Sequence, residues 1–354
     1  MTAEPTQGAP WRIYRGTGEP HDDIRRLPPP PPWRSFQGGP LIEPVEDDDA
    51  EAAARLDVIA RSYRPEEATI ELVNAALYLR RPLLVTGKPG VGKSSLAHSM
   101  ARELGLGPVL HWPITSRSTL ADGLYQYDAI GRLQHANLRK ILSDRPGGQP
   151  AAEAAQDDDA ADIGRYIRLG PLGTALLPGA LPRVLLIDEL DKSDIDLPND
   201  LLNIFENGEF EITELSRLPV GPATKVLTAS GERRAEVRRG KVRCAAFPVV
   251  VITSNGEREF PGAFLRRCIR LDVQPPDERR LAEIVELQLG PEALAASGAI
   301  IGRFLERRLK HNVATDQLLN AIYLATSRQA GDQGGGLNPG LEEALLRPLG
   351  GAER

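Results

Sequence analysis

The eight residues GKPGVGKS, positions 87–94, constrain this chain more than any other stretch. Gly87, Gly92, Lys93 and Ser94 stand in the spacing G-x-x-x-x-G-K-[ST]. The apolar run RPLLVTG (81–87) leads into the loop, and the helical pattern KSSLAHSMAREL (93–104) leads out of it. A glycine-rich turn between a buried strand and a helix start aims backbone N–H groups and the positive end of the helix at one point, which suits a phosphate. The expected nucleotide contacts are Gly87, Lys88, Pro89, Gly90, Val91, Gly92, Lys93, Ser94 and Ser95. Lys93 would reach the β- and γ-phosphates, and the Ser94 hydroxyl would ligate Mg²⁺.

Two further apolar runs end in polar residues. RVLLIDE (183–189) closes on Asp188 and Glu189, and FPVVVITSN (247–255) closes on Asn255. Near-continuous β-rich runs of this kind belong to parallel strands covered on both faces. With PVLHW (108–112) and CIRLDV (268–273) they alternate with helical patterns, which argues for an α/β fold built on a parallel sheet with flanking helices. Beside a phosphate loop, Asp188 is the candidate Mg²⁺ carboxylate and Glu189 the group that polarises an attacking water. Asp191, Asp194 and Asp196 read as solvated or helix-capping acids. Asn255 suits a contact to the γ-phosphate or the attacking water, although the Asn-Gly pair is also a tight-turn signal. The site therefore calls for ATP and Mg²⁺, and the chain carries no N-K-x-D motif for reading guanine.

At 354 residues the chain has room for two packed units plus tails. Residues 1–50, with LPPPPPW and then EPVEDDDAE, read as a largely disordered arm. Its apolar beads Trp11, Ile13, Tyr14, Trp33 and Phe36 are candidate docking elements, either for a partner or for the body of the protein. An α/β core is expected over 51–274, interrupted by a flexible insertion at 143–164. After QPP (274–276) the pattern turns helical, giving a small lid over 275–330 and a Gly-rich tail over 331–354. Net charge is −6, which argues against nucleic acid as the main partner. The basic stretch GERRAEVRRGKVRC (231–244) is either a pore-facing hairpin or a solvated loop. Two cysteines, no secretory leader and no membrane-spanning run give the expectation of a cytoplasmic protein.

Taken together, the phosphate loop after RPLLVTG, the LLIDELDK strand, the strand ending in Asn255 and the phrase FLRRC before the last strand resemble AAA+ ATPases of the MoxR type. The resemblance spans residues 56–327 and includes RPEEATIELVNAALYL ahead of the phosphate loop and LGPLGTALLP before the second motif. It places a β-hairpin at LYQYDAIGRL (124–133) and another after GEFEITEL. It implies a P-loop NTPase fold with a helical lid, a homo-oligomeric ring, commonly six subunits, and ATP bound at each interface. It also implies that Arg266 or Arg267 reaches a neighbour's nucleotide as a catalytic finger. Where many such lids carry a sensor arginine this chain has Gln317, so the lid would sense nucleotide weakly or through Arg303, Arg307 or Arg308 instead. The implied activity is ATP hydrolysis that remodels an unidentified partner protein. An assembly switch with little turnover is one alternative, and a DNA-directed AAA+ machine, for which the basic stretch 231–244 is the only support, is the other.

Overall fold

The computed structural model describes residues 11–42, 60–61, 63–143, 163–219, 223–231, 233–310, 313–329 and 339–347. The insertion expected at 143–164 lies outside them except at its ends, as do positions 1–10 and 43–50 of the arm.

Helix α1 (Glu67–Leu79) leads to strand β1 (Leu83–Thr86), the phosphate loop and helix α2 (Lys93–Glu103). Strands β2 (Leu110–Pro113) and β3 (Tyr125–Tyr127), helix α3 (Ala129–Ser143), β4 (Ile167–Leu169) and β5 (Val184–Asp188) follow. Then come helix α4 (Leu197–Asn207), β6 (Glu209–Glu211), β7 (Thr224–Leu227), β8 (Arg234–Val237), β9 (Lys241–Arg243), β10 (Val249–Ser254) and β11 (Ile269–Asp272). The main sheet has the order β11-β1-β10-β5-β2, and every pairing in it is parallel. Its three inner strands, β1, β10 and β5, are buried on both faces for the reason their sequences show. Leu83, Val85, Val184, Leu186 and Val251 enter one core, while Leu84, Leu185, Ile187, Val250 and Ile252 enter the other. The fold is that of an AAA+ P-loop NTPase. No helix among the described residues is long and apolar enough to cross a membrane.

A second sheet, β3-β4-β7-β8, packs outside the first. Here one expectation is corrected. β3 forms at 125–127, but its antiparallel partner is β4, and α3 follows it directly instead of a return strand. The Asp128 side chain accepts from Gly131 N–H at 2.8 Å in the first turn of that helix, so the chain turns into α3 at this point. β7 and β8 do form a hairpin ahead of β10.

The expectation of a disordered arm fails for residues 11–42, which form a strap across the core. Ile13, Tyr14 and Ile24 are buried against α1 and α2. Buried Asn74 of α1 accepts from Ile13 N–H at 2.7 Å and Tyr14 N–H at 3.0 Å, and donates to Tyr14 O at 2.7 Å. Glu103, fully buried at the end of α2, accepts from the N–H groups of Arg15 (2.5 Å), Gly16 (3.1 Å) and Gly18 (2.8 Å). Gly16 has φ 71°, which lets the backbone curl around that carboxylate. Further on, Arg34 donates to Phe205 O at 2.6 Å and lies over the Phe36 and Phe247 rings. Composition suggested disorder because prolines and acids dominate the count. A few apolar side chains and two buried polar receptors in the body supply what the strap itself lacks.

Helices α5 (Glu278–Leu289), α6 (Pro291–Lys310), α7 (Thr315–Gln329) and α8 (Pro339–Leu345) build the lid around Leu281, Val285, Phe304, Leu318 and Ile322. Leu346 is fully buried in that cluster, so the lid runs beyond 330 into the region expected to be tail.

Candidate functional site

The C-terminal ends of β1, β5 and β10 lie side by side, and each delivers part of the site, as is general for open parallel sheets. From β1 the loop swings under the lid. Gly90 has φ 75°, and a Cβ there would come within 2.4 Å of Ala314 Cβ just ahead of α7. Only glycine fits where loop and lid meet. Lys93, nearly buried, donates from Nζ to Gly87 O (2.7 Å), Lys88 O (2.9 Å) and Asn255 Oδ1 (2.8 Å). Burial pushes its ammonium below the ordinary lysine range, against the pull of Asp191, Glu189 and Asp188.

From β5, Asp188 accepts at Oδ1 from Ser94 Oγ (2.8 Å) and Thr253 Oγ1 (2.6 Å), and His111 Nε2 lies 3.3 Å from Oδ2. Burial alone would raise this carboxyl, but hydrogen bonds from His111, Thr253 and Ser94 outweigh it and hold it at about 2. It is therefore an anion at every physiological pH. Ser94 and Asp188 together offer hard oxygen donors that suit Mg²⁺, an ion that keeps water and phosphate in its remaining positions. The next residue, Glu189, has φ 61° and ψ 48°, a left-handed conformation that costs a non-glycine residue ~1–2 kcal/mol. Its N–H is secured by Thr253 Oγ1 at 2.8 Å. The kink turns its carboxylate toward β10, where Asn255 Nδ2 lies 3.3 Å from Oε1, while Lys192 Nζ reaches Oε2 at 2.5 Å.

Lys93, Asn255 and Glu189 are thus one hydrogen-bonded chain, and Ser94, Asp188 and Thr253 another beside it. Asn255 sits at this junction and not at the tip of a hairpin. Sequence reasoning missed Thr253, whose place two residues before Asn255 on the same strand was the available signal. It also misread Asp191, which is 3% exposed and accepts at Oδ2 from Asn255 N–H (2.9 Å) and Glu257 N–H (3.1 Å). That carboxylate anchors the turn carrying Asn255. Asp194 and Asp196 are exposed, in keeping with the reading given to them.

Between loop and lid is a cavity of about 260 Å³ lined by Tyr63, Val91, Pro276, Arg280 and Asp316 among others. Arg280 bonds to Glu66 and, at 2.5 Å, to Arg64 O, tying α5 to the segment before α1. Gln317 is turned away, accepting from Ala314 N–H at 2.9 Å and donating to Arg347 O at 2.8 Å. Arg307 and Arg308 are also committed elsewhere, to Leu346 O (3.4 Å) and Pro276 O (2.6 Å). None of Arg303, Arg307 and Arg308 lines the cavity, whereas Arg64 and Arg280 do.

Arg266 and Arg267 follow the short helix Gly262–Leu265 and touch none of this set. They differ from each other. Arg267 pairs with Glu206 of α4 and donates to Ala263 O at 3.2 Å. Arg266 is exposed, and its side chain has no partner among the described residues.

A family model for the AAA domain of the dynein-related subfamily matches residues 82–267, more than half of the chain. The Holliday junction branch migration complex subunit RuvB of Anaeromyxobacter sp. (strain Fw109-5) is 29% identical over 265 residues, covering 69% of this chain and 75% of the relative.

Proposed function

We propose that this chain, which belongs to the dynein-related AAA domain family, is a Mg²⁺-dependent ATP hydrolase of the MoxR type. It works as a homo-oligomeric ring that remodels a partner protein. The observation that carries the reading is the meeting of the two hydrogen-bonded chains, Lys93–Asn255–Glu189 and Ser94–Asp188–Thr253, at the ends of adjacent strands beside the phosphate loop.

In this reading the loop N–H groups bind the phosphates, and Lys93 exchanges its carbonyl partners for β- and γ-phosphate oxygens. Ser94 and Asp188 hold the magnesium ion, which when bound screens the phosphate charge. Glu189 accepts the proton of the attacking water, and Asn255 orients that water against the γ-phosphate. Arg266, whose side chain has no partner among the described residues, is the arginine that reaches the neighbouring subunit's γ-phosphate. Arg267 holds the short helix in place through Glu206.

The test is steady-state phosphate release from MgATP, with Lys93→Met as the blank. A wild-type rate no higher than that of Lys93→Met overturns the reading.

A further inference from the structure

A second cavity, about 560 Å³, lies between the end of the strap at Pro40–Ile42 and strand β8. Its charge is lopsided. Arg25, Arg183, Arg233, Arg234 and Arg238 line it, and Glu236 is the single acid among the lining residues. Arg25, Arg234 and Arg238 are exposed.

Its backbone is also incomplete. β8 is the end strand of the order β3-β4-β7-β8. Thr228 N–H donates to Arg233 O at 2.9 Å, while Leu227 stands opposite Arg234 and Lys225 opposite Glu236. Antiparallel residue pairs alternate between hydrogen-bonded and non-hydrogen-bonded, so the N–H and C=O groups of Arg234 and Glu236 point away from β7. None of these four groups has a partner among the described residues. The cavity touches exposed Arg234 and Glu236 and also buried Ala235, residues of opposite faces, so it runs along this open edge. The cavity is also bordered by the apolar residues Leu177, Ile42 and Leu41, the last 61% exposed, with Ile42 fixed by a bridge to Gly179.

We propose that the β8 edge is a docking site for an extended, acidic segment of a partner protein, which adds to the sheet as a further strand. The open N–H and C=O groups recur at every second residue, the repeat of an extended peptide. Successive side chains of such a peptide face opposite ways, so acids at alternate positions meet the arginines while apolar residues between them meet Leu41 and Leu177. A nucleic acid backbone matches the charge, but it has no N–H row for the carbonyls of Arg234 and Glu236 and no use for the apolar border. The proposal goes beyond the ATPase reading, and it is tested without nucleotide, so either can fail alone.

The experiment uses the full chain and fluorescence anisotropy of a labelled decapeptide of alternating Glu and Val. Binding is expected, weakened about tenfold or more by Arg234→Glu with Arg238→Glu and unaffected by Arg217→Glu with Arg270→Glu, both exposed, which makes the same charge change elsewhere. N-methylation of alternate peptide bonds is expected to weaken it by a similar factor, because the strand hydrogen bonds are lost. Equal binding of a Lys-Val peptide, or no loss on N-methylation, overturns the proposal. So does displacement of the peptide by duplex DNA at equal concentration. Binding seen only after Glu43, Glu46, Asp47, Asp48 and Asp49 are neutralised also overturns it, since the chain itself then fills the edge.

Discussion

Replacing Asn74 by alanine isolates what holds the strap to the core. The amide accepts from Ile13 and Tyr14 N–H and donates to Tyr14 O, with the residue fully buried. Three backbone groups therefore lose their partner in a place water does not reach, at ~1–3 kcal/mol each if nothing moves. The loss is capped by release of the strap. Peeling it away returns those groups to water but exposes Ile13 and Tyr14, worth ~1.5–3 kcal/mol apiece, and recovers part of that as backbone entropy. The expected net is a loss of about 3 kcal/mol, read as the shift of a urea unfolding curve whose slope falls slightly because the released strap no longer adds to the surface exposed on unfolding. Amide hydrogen exchange followed by mass spectrometry should show residues 11–20 losing protection while β1 and β10 keep theirs. A loss below about 0.5 kcal/mol with the strap still protected would show that Asn74 does not hold the strap, because orphaned buried amides cannot be that cheap.

Three further outcomes follow from the geometry. Arg266→Ala should lower ATP turnover by about 10³-fold or more with nucleotide affinity kept, and Arg267→Ala should do so by much less; malachite-green phosphate release and fluorescent-nucleotide titration separate the two. Asp191→Ala frees the Asn255 turn, so kcat should fall about tenfold or more while ATP affinity moves little, and equal kcat would show that the anchor is dispensable. Burial pushes the thiols of Cys244 and Cys268 up to about 12, so iodoacetamide at pH 8 should label neither in the native protein and both in urea. The sign follows from these raised values: the folded state keeps protons that the unfolded chain gives up, and stability should fall as pH rises from about 9 toward 12.

Much of the site was legible because its chemistry depends on local spacing. The loop glycines, Lys93 and Ser94 are close in sequence, and Asp188, Glu189 and Asn255 each end an apolar run that can only be a buried strand. What was not legible depends on long-range partners. Asp191 looks like any acid after a strand until Asn255 and Glu257 bring their N–H groups to it from more than 60 residues away. Glu103 looks like a helix-end surface charge until the strap wraps it. Arg266 and Arg267 are alike as letters, and only Glu206 on α4 tells them apart. The strap was misjudged for a related reason. Averaged composition hides a segment whose few apolar residues are each given a fitted place by another part of the chain.

We propose that Glu189 activates water against a nucleotide held by Lys93, Ser94 and Asp188. Single-turnover hydrolysis of radiolabelled MgATP by Glu189→Gln tests it most directly, since glutamine keeps the shape and removes the base. ATP should bind as tightly as in the wild type, with cleavage slowed about 10²-fold or more. Cleavage at the wild-type rate, with ATP bound equally well, would contradict it.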